Sequence, residues 1–160
     1  MAIDPGKEWE GIVETWLAES HICYDRIHDQ MSGKAGSKNV CDYDAYLYPH
    51  LYYIECKECA SPRFDMLSSI SEYQWTELLK KDKFPGVRAG YAIWMKGDQR
   101  AFWVSSLALE LYYTAGIKSV TSDDLARIGV ELTLYKKVTK WYLETFLDII
   151  EYRMTGRTST

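Results

Sequence analysis

DYDAYLYPHLYYIECKE, residues 42–58, reads as two strands built of tyrosine, leucine and isoleucine that turn near Pro49 and His50. Proline is tolerated at a turn but not inside a central strand, so the stretch is expected to fold as a hairpin. Glu55 and Lys57 stand two residues apart near the end of its second strand. Successive strand side chains alternate faces, which puts this pair on one side about 7 Å apart and Ile54 and Cys56 on the other. An acid and an amine beside an apolar layer lose their hydration unless a partner or a cation compensates. Closing the hairpin brings Asp42 to the same end of the sheet, so two carboxylates converge with a lysine beside them.

That grouping has a chemical use. Two carboxylates and a backbone carbonyl are the hard oxygen donors that Mg²⁺ takes while keeping positions open for water and a phosphate oxygen. A neighbouring lysine can orient the attacking water and offset charge building on the phosphate. The plainer reading of the same residues is a Glu55–Lys57 ion pair on a half-exposed strand, with Asp42 an ordinary turn residue. Asp44, two residues from Asp42, competes with it for the ligand role.

Composition narrows the frame. The 160 residues are 47% apolar, enough for one compact domain with a core, and the expectation is a single domain over residues 1–160. Nineteen basic and 23 acidic side chains leave a net charge of −4, so affinity for a polyanion has to come from local basic patches. No apolar run approaches the roughly 20 residues that cross a bilayer, and the MAIDPGKEWEG start has neither a basic region nor an apolar signal core, so no membrane partner and a cytoplasmic location are expected. Cys23, Cys41, Cys56 and Cys59 then read as reduced thiols. Cys56 and Cys59 form a C-x-x-C, but a zinc site wants a second close pair and none is present.

Along the chain, GKEWEGIVETWLAESHICYDRI has apolar residues at helical spacing from Trp9 to Leu17 and is expected to run as one amphipathic helix from Gly6 to Ile27, with Glu10 in its first turns. Residues 28–40 read as a flexible basic loop holding Lys34 and Lys38. After the hairpin, SSISEYQWTELLKKDKF returns to helical spacing and ends in lysines that suit a helix C-terminus. RAGYAIWMK and RAFWVS, joined at Gly97-Asp98, form a second expected hairpin. LALELYYTAG is a short helix ended by Gly116, and Thr121 or Ser122 caps another. VELTLYKKV alternates like an edge strand, WYLETFLDIIEYRM is a last helix, and the tail over 155–160 is expected to fray. The order predicts an α/β fold with a mixed central sheet flanked by helices.

These pieces resemble a known family. The string DYDAYLYPHLYYIECKE looks like the core motif of the PD-(D/E)xK nucleases, and its aspartate-tyrosine start, spacing and E-x-K-E end are most similar to the RecU-type Holliday junction resolvases of Gram-positive bacteria and their phages. GKEWEG matches the family's glycine followed four residues later by a helix-borne glutamate, here Glu10. The family's glutamine after the E-x-K strand falls on Gln74 of SEYQW. YAIWM, RAFWVS and SVTSDDLARIGVEL fit its later elements, so the likeness covers most of the chain. Restriction and repair nucleases share the same core.

The resemblance implies a restriction-endonuclease-like core and a metal-dependent endodeoxyribonuclease that resolves four-way DNA junctions by paired phosphodiester hydrolysis, leaving 5′-phosphates. It implies Mg²⁺, with Mn²⁺ able to substitute, held by Asp42, Glu55 and the backbone carbonyl of Cys56. Glu10 would bind a second metal or its water, Lys57 would be the catalytic lysine, and Gln74 would position water or the scissile phosphate. Other readings make Glu10 a solvent-facing acid at a helix start and Gln74 a surface amide. Alternatives for the whole chain are a non-catalytic DNA-binding or recombination-regulating module, or a flap or restriction-type nuclease. The family's long N-terminal arm and projecting stalk are reduced here, the stalk to DQMSGKAGSKNV. Lys34, Lys38, Arg63 and Lys81 are the candidate DNA contacts, with Lys80, Lys83, Lys136, Lys137 and Lys140 as further cations. His21, His28 and His50 lack a paired spacing and read as structural or surface residues. Symmetric cutting of a branched substrate implies a two-fold homodimer, for which the aromatic faces around Trp94, Phe102, Trp103 and Tyr112 are candidates.

Overall fold

A computed structural model describes residues 6–19, 22–27 and 39–132 of the chain. The hairpin forms as expected. Strand β2 covers Tyr43–Leu47 and strand β3 His50–Cys59, paired antiparallel with Tyr43 opposite Ile54 and Asp44 opposite Tyr53. β3 is twice as long as β2, so its residues from Glu55 onward run past the end of their partner.

The first helix is shorter than its periodicity suggests. Helix α1 covers Lys7–Glu19 and buries Trp9, Val13, Trp16 and Leu17, whereas Cys23–Arg26 forms strand β1. β1 pairs antiparallel with β2, Cys23 opposite Tyr46 and Arg26 opposite Tyr43. The sequence reading carried the helix to Ile27. Tertiary pairing won there, because an unpaired β2 would leave a row of backbone donors and acceptors open at the sheet edge.

Beyond β3 come a short strand β4 (Phe64–Asp65), a helical turn α2 (Met66–Ser69) and helix α3 (Glu72–Asp82). Ser71 caps α3 by accepting the Gln74 N–H. Strand β5 (Val87–Met95) then lies parallel to β3, and parallel neighbours need a crossover, which α3 provides. β5 turns through Gly97-Asp98 into β6 (Arg100–Ser105), the second expected hairpin. Helix α4 (Ser106–Thr114), strand β7 (Ser119–Val120), helix α5 (Ser122–Ile128) and strand β8 (Val130–Leu132) complete the described elements. Thr121 and Asp124 cap α5 reciprocally. The six-stranded sheet runs β1-β2-β3-β5-β6-β8, mixed as expected, and β4 with β7 makes a second small sheet that the sequence reading lacked.

Helix α1 covers one face of the sheet over Tyr43, Tyr52, Ile54 and Cys56. The other face packs against α3, α4 and α5 through Leu78, Tyr91, Ile93, Leu109 and Leu125. β5 is buried on both faces, which is why VRAGYAIWM reads as a nearly continuous apolar run. Gly90 is required there: a Cβ would collide with the Val104 carbonyl of β6. Phe102 and Trp103 belong to this interior, and Trp94 and Tyr112 are half-buried against it. The aromatic faces suggested for a dimer contact are therefore mostly core. All four cysteines are free thiols. No helix among the described residues is long and apolar enough to cross a membrane. The loop with Lys34 and Lys38, the later lysines Lys136, Lys137 and Lys140, His21, His28, the expected last helix and the tail lie outside the described residues.

Candidate functional site

Asp42 sits where β2 ends and β3 continues alone. Its N–H donates to the Ile54 carbonyl at 3.1 Å, and its carbonyl accepts the Ile27 N–H at 2.8 Å. Its side chain then takes the place of the missing strand, with Oδ2 accepting the Cys56 N–H at 2.8 Å. In a strand the N–H and C=O of one residue point to the same edge, so the Cys56 carbonyl is aimed at this open edge too.

Glu55 and Lys57 share the face that α3 covers. Glu55 Oε1 lies 2.9 Å from Lys57 Nζ and accepts from Gln74 Nε2 at 2.9 Å. The ring closes through Lys57 Nζ, which donates to Gln74 Oε1 at 3.2 Å. Gln74 occupies the third position of α3, where a glutamine commonly reaches back to the cap. Its amide instead spans Glu55 and Lys57, and the helix start is served by Ser71. Tyr91 lies directly across from Glu55 on β5; burial and the Glu55 charge keep its hydroxyl protonated.

The two carboxyl groups are mutually destabilised. Burial, then the charge of Glu55, pushes Asp42 up to about 7, against the opposing pull of the Cys56 N–H and Lys57. Burial also raises Glu55, opposed by Lys57 and Gln74. Asp42 and Glu55 come within hydrogen-bonding reach of each other; a proton on Asp42 bridges them, and when both are ionised neither can donate. Glu55 Oε2 is accordingly buried with no donor among the described residues. Burial first, then the charges of Asp42 and Glu55, lifts the Cys56 thiol well above its ordinary range, so its sulfur stays protonated.

Glu10 approaches from α1. Arg26 of β1 binds it at 3.2 Å and Glu14 at 2.9 Å, and the Glu10 charge is still felt at Glu55. Asp44 accepts the Asp25 N–H at 3.2 Å and so faces β1. Arg63 is engaged with Ser119, through Nε at 2.8 Å and Nη2 at 3.0 Å. Lys81 stands over the Tyr53 ring, 4.7 Å from its centroid, on the Glu55 face of β3. The structure thus brings Asp42, Glu55, Lys57 and Gln74 together, holds Glu10 at their margin, and ties Arg63 elsewhere.

One residue of the motif has a role that sequence reasoning missed. Glu58 points to the α1 side, where Oε2 accepts the Gly6 N–H at 2.6 Å and Oε1 the Trp9 N–H at 3.1 Å. Lys96 lies 3.6 Å from it. Glu58 is the N-terminal anchor of α1, and through it β3 fixes the helix that carries Glu10. Only a helix start with free N–H groups 52 residues upstream reveals this use.

Two features test whether these residues suit a divalent cation. Glu55 Oε2 is an orphaned buried oxygen, and Asp42 beside it is a carboxylate that burial and its neighbour hold near neutral. A hard cation between them would satisfy both. Among the described residues no three His, Cys, Asp or Glu side chains gather as a metal cluster. An ion held here would have two carboxylates and the strand-edge carbonyl of Cys56 as protein donors, with water for the rest.

The mixed sheet, the β3–α3–β5 crossover and the flanking helices make a fold shared with a solved structure. The solved structure of Archaeoglobus fulgidus Hjc, a Holliday junction resolvase from an archaeal hyperthermophile, is similar at a TM-score of 0.56 and 17% sequence identity, over 79% of this chain and 95% of that one. No protein-family model matches the chain, and no curated protein matches it significantly.

Proposed function

We propose that this chain is a Mg²⁺-dependent endodeoxyribonuclease that resolves four-way DNA junctions. The observation that carries the reading is the donor-less buried oxygen of Glu55, set against Asp42 and locked to Lys57 and Gln74 on a nuclease-type sheet. The likeness of fold to a Holliday junction resolvase supports the branched-DNA part, and the motif pieces around Asp42, Glu55 and Gln74 favour a RecU-like enzyme of bacterial or phage origin, working in the bacterial cytoplasm.

Asp42, Glu55 and the Cys56 carbonyl would hold the cation, Mg²⁺ or Mn²⁺, with Glu10 on a second ion or its water. When bound, the cation neutralises phosphate charge and lowers the pKa of water. Lys57 orients the attacking water and meets charge developing on the phosphate oxygens. Gln74 bonds both Glu55 Oε1 and Lys57 Nζ, which restrains the two side chains as the phosphate arrives. Water attacks phosphorus in line: its oxygen bonds to phosphorus as it loses a proton to solvent, and the bond to the 3′ oxygen breaks, that oxygen taking up a proton from solvent to give a 3′-hydroxyl and a 5′-phosphate. Two such cuts, one on each side of a junction, call for a two-fold homodimer. Lys81, above Tyr53 on the Glu55 face, would meet DNA, and Lys34, Lys38 and Arg63 are further contacts proposed for DNA.

The test compares cleavage of a four-way junction, a flap and a linear duplex at equal Mg²⁺. Preferential, symmetric cutting of the junction is expected. Equal cutting of all three defeats the resolvase reading and spares the nuclease; no cutting of any, by wild type and by Glu55→Gln alike, leaves a binding module.

A further inference from the structure

Part of the sheet face that bears Glu55 continues beyond α3 and is not used by the carboxylates. There Asp44 lies opposite Tyr53, and Tyr46 opposite Leu51, so Tyr53 is one step along the face from Glu55 and Tyr46 two steps along from Asp42. Tyr46 is 49% exposed, Tyr48 at the hairpin tip 82%, and Phe84 in the turn after α3 64%. Those two turns abut, since the Leu51 N–H donates to the Gly86 carbonyl at 2.9 Å. Exposed rings gathered on adjoining turns make an apolar patch of the kind that marks interaction sites.

The surrounding charge says what kind of ligand. Against a chain net charge of −4, residues 80–88 carry Lys80, Lys81, Lys83 and Arg88 with one acid, Asp82; Lys80 pairs with Glu77 at 3.0 Å and Arg88 acts on Asp82, so Lys81 and Lys83 carry the patch. The Asp82 carboxylate is turned inward, accepting the Ala89 and Leu107 N–H groups at 3.0 Å each. Lys81 sits above Tyr53, and Lys83 is exposed beside Phe84. A second copy docking here about a two-fold axis would set this cationic patch against itself. A polynucleotide meets it with the opposite charge, and aromatic rings among lysines suit a strand whose bases offer free π-faces. Bases within a duplex are already stacked on one another.

We infer that Tyr46, Tyr48 and Phe84 form a stacking platform for unpaired nucleotides next to the scissile phosphate, with Lys81 and Lys83 on the strand's phosphates. It rests on the nuclease reading and deepens it: the enzyme selects DNA with unstacked bases beside the cut. The platform supplies through side chains on β2 and the α3–β5 turn a recognition that does not depend on the loop over 28–40.

The experiment is fluorescence anisotropy in EDTA with a fluorescein-labelled 20-nucleotide oligo(dT) and a blunt 20-base-pair duplex. Phe84→Ala and Tyr46→Ala each weaken oligo(dT) binding about tenfold and duplex binding less than twofold, and Phe84→Trp restores it. Phe84 stands in an exposed turn, so its variants keep the wild-type melting temperature, whereas Tyr46→Ala, half-covered on β2, is read below its own melting transition. Unchanged oligo(dT) binding, equal loss on both probes, or a wild type that binds neither overturns the platform. So does a wild-type dimer that Phe84→Ala turns into a monomer in sedimentation, which makes the patch a protein interface. Cleavage with Mg²⁺ is read separately: selective loss of oligo(dT) binding in a protein that cuts no DNA keeps the platform and removes the nuclease.

Discussion

The two faces of β3 carry two glutamates three residues apart, both well buried, in opposite circumstances. Glu58, on the α1 face, has both oxygens supplied with donors: the Gly6 and Trp9 N–H groups, with Lys96 nearby. Glu55, on the α3 face, has one oxygen shared by Lys57 and Gln74 and the other without a donor beside a second carboxylate. One strand thus holds a carboxylate placed for stability and a carboxylate placed at its expense. On the proposed reading the difference separates what holds the fold from what would do chemistry, since function tends to reside where local interactions are left incomplete.

The sharpest break of that contrast is Glu55→Gln. Mg²⁺-dependent cleavage should fall by about 10³-fold or more, while DNA affinity in EDTA is kept and the melting temperature at pH 8 stays level or rises, because one of two repelling charges is gone. Gln74→Ala comes next, with cleavage reduced about tenfold and folding unaffected, since Glu55 Oε1 keeps Lys57 but neither side chain keeps its orientation. Glu58→Ala should invert the pattern: stability drops by about 1–2 kcal/mol, a melting shift of about 5 °C, with cleavage per folded molecule down less than tenfold.

The smallest effect is on pH dependence. Asp42 has a folded pKa of about 7, above its ordinary value, so between about pH 4 and 7 the folded protein binds more protons than the unfolded chain. The stabilisation is complete below the unfolded pKa and is lost as pH rises through the folded one. Denaturation midpoints without metal should therefore fall from pH 5 to pH 7.5, Asp42→Asn should flatten the slope, and Mg²⁺ should recover stability most above pH 7. A midpoint that rises over that window would contradict the burial assigned to Asp42.

How legible this was varies by residue. The Asp42, Glu55 and Lys57 grouping was readable because strand alternation and one proline turn are short-range rules, and the hairpin obeyed both. Gln74 was reachable only through resemblance: nothing in SEYQW distinguishes a capping glutamine from one that leaves its helix start. β1 was misread as helix because Ile22, Cys23 and Tyr24 continue an apolar pattern, and only the open edge of β2 makes a strand there worthwhile. Arg63 looked like any surface cation, and its engagement with Ser119 depends on β4 meeting β7 across the chain.

By itself the sequence determined the hairpin, the buried acid and amine on one face, the second hairpin and most helix ends, because each follows from periodicity, turn chemistry and caps within a dozen residues. Tertiary structure alone decided that Asp42 completes the bare edge of β3, that Gln74 bridges Glu55 and Lys57, and that Glu58 anchors α1. Those outcomes depend on which backbone groups remain unpaired once distant elements have packed, and no local pattern records that.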